Sequence, residues 1–190
     1  NPLEGVRVFK EAEKEMSWLT LSQLPELFRA CEQYGKEDLT MIVKVCLATG
    51  ARWGEAERLT RPQLSPYKLT FTKTKGKKNR TVPIPKWLYD ELSERQGRMF
   101  KPCYQEFKKM LKLTNIELTE GQKTHVLRHT FGAHFMMNGG NILVLQKILG
   151  HANIRETMKY AHFAPDHLEQ AVTLNPLSLY VGDNVAAEVA

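Results

Sequence analysis

Apolar residues recur at helical spacing through most of the chain. Leu24, Leu27, Phe28 and Cys31 form one stripe, with Ser22 placed to cap it and Pro25 in its first turn. The next segment is more continuously apolar and reads as a buried helix, capped by Asp38 and ended by Gly50. Residues 53–60 suggest a short polar helix. The period then changes to that of two short strands, 68–72 and 80–84, joined by a basic turn containing Gly76. Pro83 and Pro85 confine the second strand to a sheet edge or end it. Helical spacing returns at 86–95, 103–113, 123–137, 141–149, 153–162 and 165–173, with Gly139-Gly140 and Gly150 as breaks. The pattern predicts a mainly α fold with one small antiparallel sheet (α+β), in one domain over 20–173. Residues 1–19 read as a linker or lead segment, and 174–190 as a tail.

Length and composition narrow the class. A chain of 190 residues buries roughly two-thirds of its unfolded surface and needs no staples. The longest apolar runs, 41–43 and 45–47, are broken by Lys44, far short of the ~20 residues of a membrane span. No membrane partner is expected, and the polar first residues resemble no signal peptide. The chain starts at Asn1 rather than Met, so a longer parent protein is expected. Cys31, Cys46 and Cys103, odd in number and widely spaced, fit neither a disulfide framework nor a CxxC metal site and suggest a reducing compartment.

Charge changes the picture through its distribution. The net +6 divides into −2 over residues 1–50, +10 over 51–128 and −2 over 129–190. An excess concentrated in the middle is the electrostatic footprint of a nucleic-acid partner. A solvated lysine-rich surface is the ordinary alternative.

Four features carry candidate chemistry. On a helix, His125, Arg128 and His129 share one face. Two histidines four apart invite a metal reading, but Val126 stands where the zinc-protease helix has its glutamate, and Arg128 would repel an ion. The arginine fork and the imidazole suit phosphate better. His129 is expected to be structural, turned inward and bonded to backbone. Arg52 follows a glycine helix stop, and Glu55, three residues on, can hold its guanidinium. A routine surface pair of this kind is worth ~0–1 kcal/mol. The hairpin turn carries Lys73, Lys75, Lys77, Lys78 and Arg80 with no carboxylate, a natural phosphate-binding tip. Finally, Leu149-Gly150-His151 is followed nine residues later by Tyr160. A phenol with pKa near ~10 becomes a nucleophile only where cations stabilise its phenolate or a base takes its proton.

In order and spacing these motifs resemble the tyrosine recombinase, or phage integrase, family, over roughly residues 20–170. The surrounding phrases (Ala-Thr-Gly-Ala-Arg-Trp, Val-Leu-Arg-His-Thr-Phe, Met-Met-Asn-Gly-Gly-Asn) look like integrases of temperate enterobacterial phages. The resemblance implies a catalytic domain in which Tyr160 attacks a scissile DNA phosphate to give a 3′-phosphotyrosine. Arg52 and Arg128 would clamp the non-bridging oxygens and His151 would donate to one of them. His125 would assist proton movement at Tyr160 and help bind the phosphate, and Lys75, with Lys73 or Lys77 as alternatives, would protonate the leaving 5′-oxygen. Glu55 would orient Arg52, His129 would be structural, and Lys73, Lys77, Lys78 and Arg80 would contact phosphates. No metal or other cofactor is implied. The implied partners are double-stranded attachment-site DNA, further copies of the chain in a synaptic tetramer, and accessory DNA-bending proteins. The implied location is the host bacterial cytoplasm, at the nucleoid. The tail, by the same resemblance, would dock on a neighbouring protomer. Competing readings are a type IB topoisomerase, which relaxes DNA by the same chemistry, a DNA-binding module without chemistry, and a metal hydrolase.

Overall fold

The structure, a computed structural model, describes residues 16–72, 79–119, 121–166 and 168–177. Its helices are α1 (Leu24–Tyr34), α2 (Glu37–Thr49), α3 (Trp53–Glu57), α4 (Lys86–Ser93), α5 (Tyr104–Leu111), α6 (His125–Met137), α7 (Ile142–Leu149), α8 (Arg155–Met158) and α9 (Gln170–Thr173). Strands β1 (Leu64–Ser65), β2 (Lys68–Phe71) and β3 (Arg80–Pro83) form an antiparallel sheet in the order β1-β2-β3. The α+β class and the hairpin stand, with Lys68 opposite Pro83 and Phe71 opposite Arg80. Pro83 lies on an edge strand, where its missing N–H costs no ladder bond.

Helix α2 explains its own apolar sequence. Leu39, Ile42, Val43, Val45 and Cys46 are fully buried, and the helix packs along α6 at the centre of the domain. Gly50 then stops α2 at φ 65°, and a Cβ there would meet Leu149 and Phe131 at 2.6 Å. Any larger residue would both strain the turn and push α6 and α7 away.

Two expected caps prove different. Gln23, not Ser22, precedes α1, and its side-chain carbonyl accepts the Thr20 N–H. Asp38 lies inside the first turn of α2, where its carboxylate accepts from Arg95 and from the Lys101 N–H. Strand β1 was absent from the expected elements, because two residues carry no period. The expected helix 153–162 is instead α8 followed by a 3₁₀ turn at Ala161–Phe163.

That broken helix delivers Tyr160 into a small second core with Met136, Leu145 and Leu149, bordered by Phe131, Phe135 and Phe163. The Tyr160 ring is fully buried and lies on Gly132 of α6, where an added Cβ would come within 2.6 Å of it. Gly132→Ala must therefore displace the ring. The expected loss is about 1–3 kcal/mol, read from urea unfolding midpoints. An unchanged midpoint would show that the ring yields freely.

Candidate active site

Arg128 organises the centre. It projects from the first turns of α6, is 4% exposed, and is fixed by carbonyls at the C-terminal ends of two other helices. Its Nη1 donates to Gly50 O and its Nη2 to Leu149 O, each at 2.8 Å. Nη2 also donates to His151 Nε2 at 2.9 Å. Among the described residues, three of the five guanidinium hydrogens are thus committed, and the Nε hydrogen and the second Nη1 hydrogen remain for a ligand. Burial, then the charges of Arg52 and Arg80, lower its pKa to about 10, so it stays cationic at neutral pH.

That geometry also settles a tautomer. Arginine only donates, so His151 Nε2 accepts, and Nδ1 carries the hydrogen toward Thr157 Oγ1 at 2.8 Å. His151 is neutral here: burial, followed by Arg128, Lys159, Arg52 and Arg80, holds its pKa at about 3. As found, Nε2 is an acceptor, so donating to a phosphate oxygen would require a proton gained when an anion enters.

Arg52 sits just before α3, with Glu55 in that helix's first turn. Glu55 accepts from the Arg52 backbone N–H at 2.9 Å and from Arg52 Nη1 at 3.2 Å. It is held equally by Arg80, through Nη1 at 3.1 Å and Nη2 at 2.6 Å. Burial alone would raise the Glu55 pKa, but Arg80 and then Arg52 overcome it and bring it to about 2. Arg80 therefore departs from the expected phosphate contact. Its side chain is 7% exposed, its Nε donates to Ile148 O at 2.8 Å, and its guanidinium lies 4.7 Å from the Phe71 ring centre. A guanidinium so enclosed is a strut between β3, α3 and α7. Lys73, Lys75, Lys77 and Lys78 lie outside the described residues.

His129 also departs from expectation. It is buried, but its Nδ1 meets Tyr160 Oη at 2.8 Å rather than a backbone group. Burial, then Lys159, His125, Arg128 and His151, lower its pKa to about 3. Tyr160 is raised to about 12 by burial, against the pull of Arg128 and Arg52. Lys159 was not singled out by sequence. Its ammonium lies 5.2 Å from the Tyr160 ring centre, and although the residue is exposed by area, desolvation and Arg128 lower its pKa. A lysine beside a candidate nucleophile was the only available signal.

A cleft of about 450 Å³ opens beside this cluster, lined by Arg52, Glu55, Arg58, Tyr104, His125 and Arg128 among others. Its cations and open mouth suit an extended anion. Among the described residues, no group of three or more His, Cys, Asp or Glu is placed to hold a metal ion. No helix among them is long and apolar enough to cross a membrane.

The two neutral histidines make stability acid-sensitive. A pKa held below the usual ~6.5 leaves more protons on the unfolded chain, so stability is whole above that value and falls as pH drops toward 3. The expected loss between pH 7.5 and 5.5 is about 2 kcal/mol, measured by urea unfolding at each pH. A flat profile over that range would contradict neutral burial.

Buried Arg128, Arg52 paired with Glu55, His151, and His129 bonded to Tyr160 thus form one cationic cluster on a helical domain. The phage integrase family model matches residues 17–167, and the chain belongs to that family. It is 59% identical over 178 residues to the integrase of Escherichia phage 186, covering 93% of this chain and 53% of that protein. Against the integrase of Haemophilus phage HP1 it is 58% identical over 178 residues, covering 94% and 53%. The solved catalytic domain of bacteriophage HP1 integrase superposes with a TM-score of 0.82 at 57% identity, covering 86% of this chain and 98% of that one. The chain spans about half the length of the curated relatives it matches.

Proposed function

We propose that this domain cleaves and rejoins double-stranded DNA through a 3′-phosphotyrosine, as the catalytic part of a site-specific phage recombinase. The observation that carries it is that Arg128 bonds His151 and shares a cleft with Arg52 and His125, with the Tyr160 hydroxyl close enough to feel the charge of both arginines. Tyr160 Oη attacks the scissile phosphorus and the bond to the 5′-oxygen breaks. Arg52 and Arg128 neutralise the non-bridging oxygens, where charge accumulates in the transition state. The entering phosphate offsets the cations that suppress His151 protonation, so His151 becomes a donor once DNA is bound. His125, in the cleft with both arginines, contacts the same phosphate. Lys75 supplies the proton to the leaving 5′-oxygen. Because the phosphotyrosine keeps the energy of the broken bond, rejoining needs no nucleotide cofactor.

DNA as partner is supported by the cationic cleft and by fold neighbours. One is XerH recombinase bound to palindromic difH substrate, which superposes at a TM-score of 0.66 and 20% identity, covering 86% of this chain and 55% of that one. The tail's docking on a neighbouring copy, a synaptic tetramer and DNA-bending accessory proteins belong to the same proposal. So does action in the bacterial cytoplasm. The test is a nicked suicide duplex carrying the attachment site: the protein should remain covalently attached to its 3′ end. Failure to trap any adduct while DNA is bound would leave only a DNA-binding module. Relaxation of DNA without exchange between two target duplexes would instead indicate a topoisomerase.

A further inference from the structure

The Tyr160 hydroxyl has a single hydrogen-bond partner among the described residues, His129 Nδ1 at 2.8 Å. In the tautomer with its ring hydrogen on Nε2, neutral His129 accepts the phenolic hydrogen at Nδ1. His125, one turn earlier on α6, has its ring centre 6.2 Å from that of His129 and lines the phosphate cleft. The two histidines thus face different atoms of the same reaction.

We propose that His129, not His125, is the catalytic base that receives the Tyr160 proton. This rests on the reading of the domain as a DNA-cleaving enzyme. As Oη bonds to phosphorus, its proton passes to Nδ1. The bond from phosphorus to the 5′-oxygen breaks, and that oxygen takes its proton from the general acid. In rejoining, the 5′-hydroxyl attacks as its proton returns to the general acid, and protonated His129 returns its hydrogen to the departing phenolate.

The surroundings make this base conditional on substrate. His129 is faced by His125 and Arg128 from α6, His151 from the turn after α7, and Lys159 and Tyr160 from the turn after α8. Burial and these charges keep it neutral, with Nδ1 open to accept, but also make it a weak base while the cleft is empty. A phosphate among Arg52, Arg128 and Lys159 offsets their charge and raises the basicity of His129. The proton transfer then becomes favourable only with DNA in place, which protects the tyrosine from reaction with stray electrophiles.

The test is single-turnover cleavage of the nicked duplex from pH 6 to 9.5 by the parent and by His129→Asn. The Asn oxygen takes the place of Nδ1 and can hold the phenol without accepting its proton. The expected result is unchanged DNA binding, cleavage slower by ~10²–10⁴, and a residual rate that rises about tenfold per pH unit. Fluorotyrosine incorporation, which makes the phenol more acidic, should restore part of the Asn variant's rate. Cleavage by the Asn variant within about threefold of the parent across this range would overturn the proposal. If the Asn variant fails to fold, fluorotyrosine in the parent decides: with a base in place its rate changes little, whereas a rate tracking the phenolate fraction would overturn the proposal. A parent that forms no adduct would sink the cleavage reading itself.

Discussion

Tyr160→Phe is expected to bind the nicked attachment-site duplex as the parent does and to form no covalent adduct at all. The substitution removes one oxygen from a ring that is fully buried in the second core, so the packing against Gly132 and Leu149 persists. What it leaves behind is His129 Nδ1 without its partner, a cost of about 1–3 kcal/mol. A domain of this size tolerates that loss, and a thermal melt would register it as a modest shift. Denaturing gels after incubation with the suicide duplex give the decisive reading. An adduct of parental yield in the Phe variant would remove Tyr160 from the mechanism.

Arg128→Ala should lower the single-turnover cleavage rate by ~10²–10³ or more, because it removes a donor aimed at developing charge. Unlike the first variant, it should also destabilise the fold. Gly50 O and Leu149 O both lose their donor, and His151 Nε2 loses the hydrogen that fixes its tautomer. Relief of repulsion with Arg52 and Arg80 returns part of this, leaving a net loss of about 2–4 kcal/mol. Arg128→Lys separates the two effects. A single ammonium cannot reach both carbonyls and a phosphate as a planar fork does, so cleavage should stay low even where stability recovers. Parental cleavage in the Lys variant would show that only charge matters there.

Local features were legible in the sequence where local chemistry determines them. The glycine stops at Gly50 and Gly150, the apolar run of α2 and the hairpin around a basic turn all follow from neighbouring residues. The order Arg52, His125, Arg128, His151, Tyr160 was readable because family motifs occupy short windows. Arg80 was misread for a related reason. Its sequence neighbours are lysines, while the carboxylate that encloses it is Glu55, supplied by another element. The Tyr160–His129 bond was likewise illegible, since it depends on how α8 breaks over the glycine of α6.

The anchoring of Arg128 on two helix ends has a consequence for how the gene can decay. The same guanidinium that would grip DNA also ties Gly50 and Leu149 together. A lesion at this position weakens the molecule's survival as well as its chemistry. Inactive copies would be cleared by proteases rather than persist on DNA as competitors of intact ones, so damage at Arg128 should behave as a recessive loss. A lesion at Tyr160 that spares the ring leaves a durable, DNA-binding protein and should behave as a dominant poison.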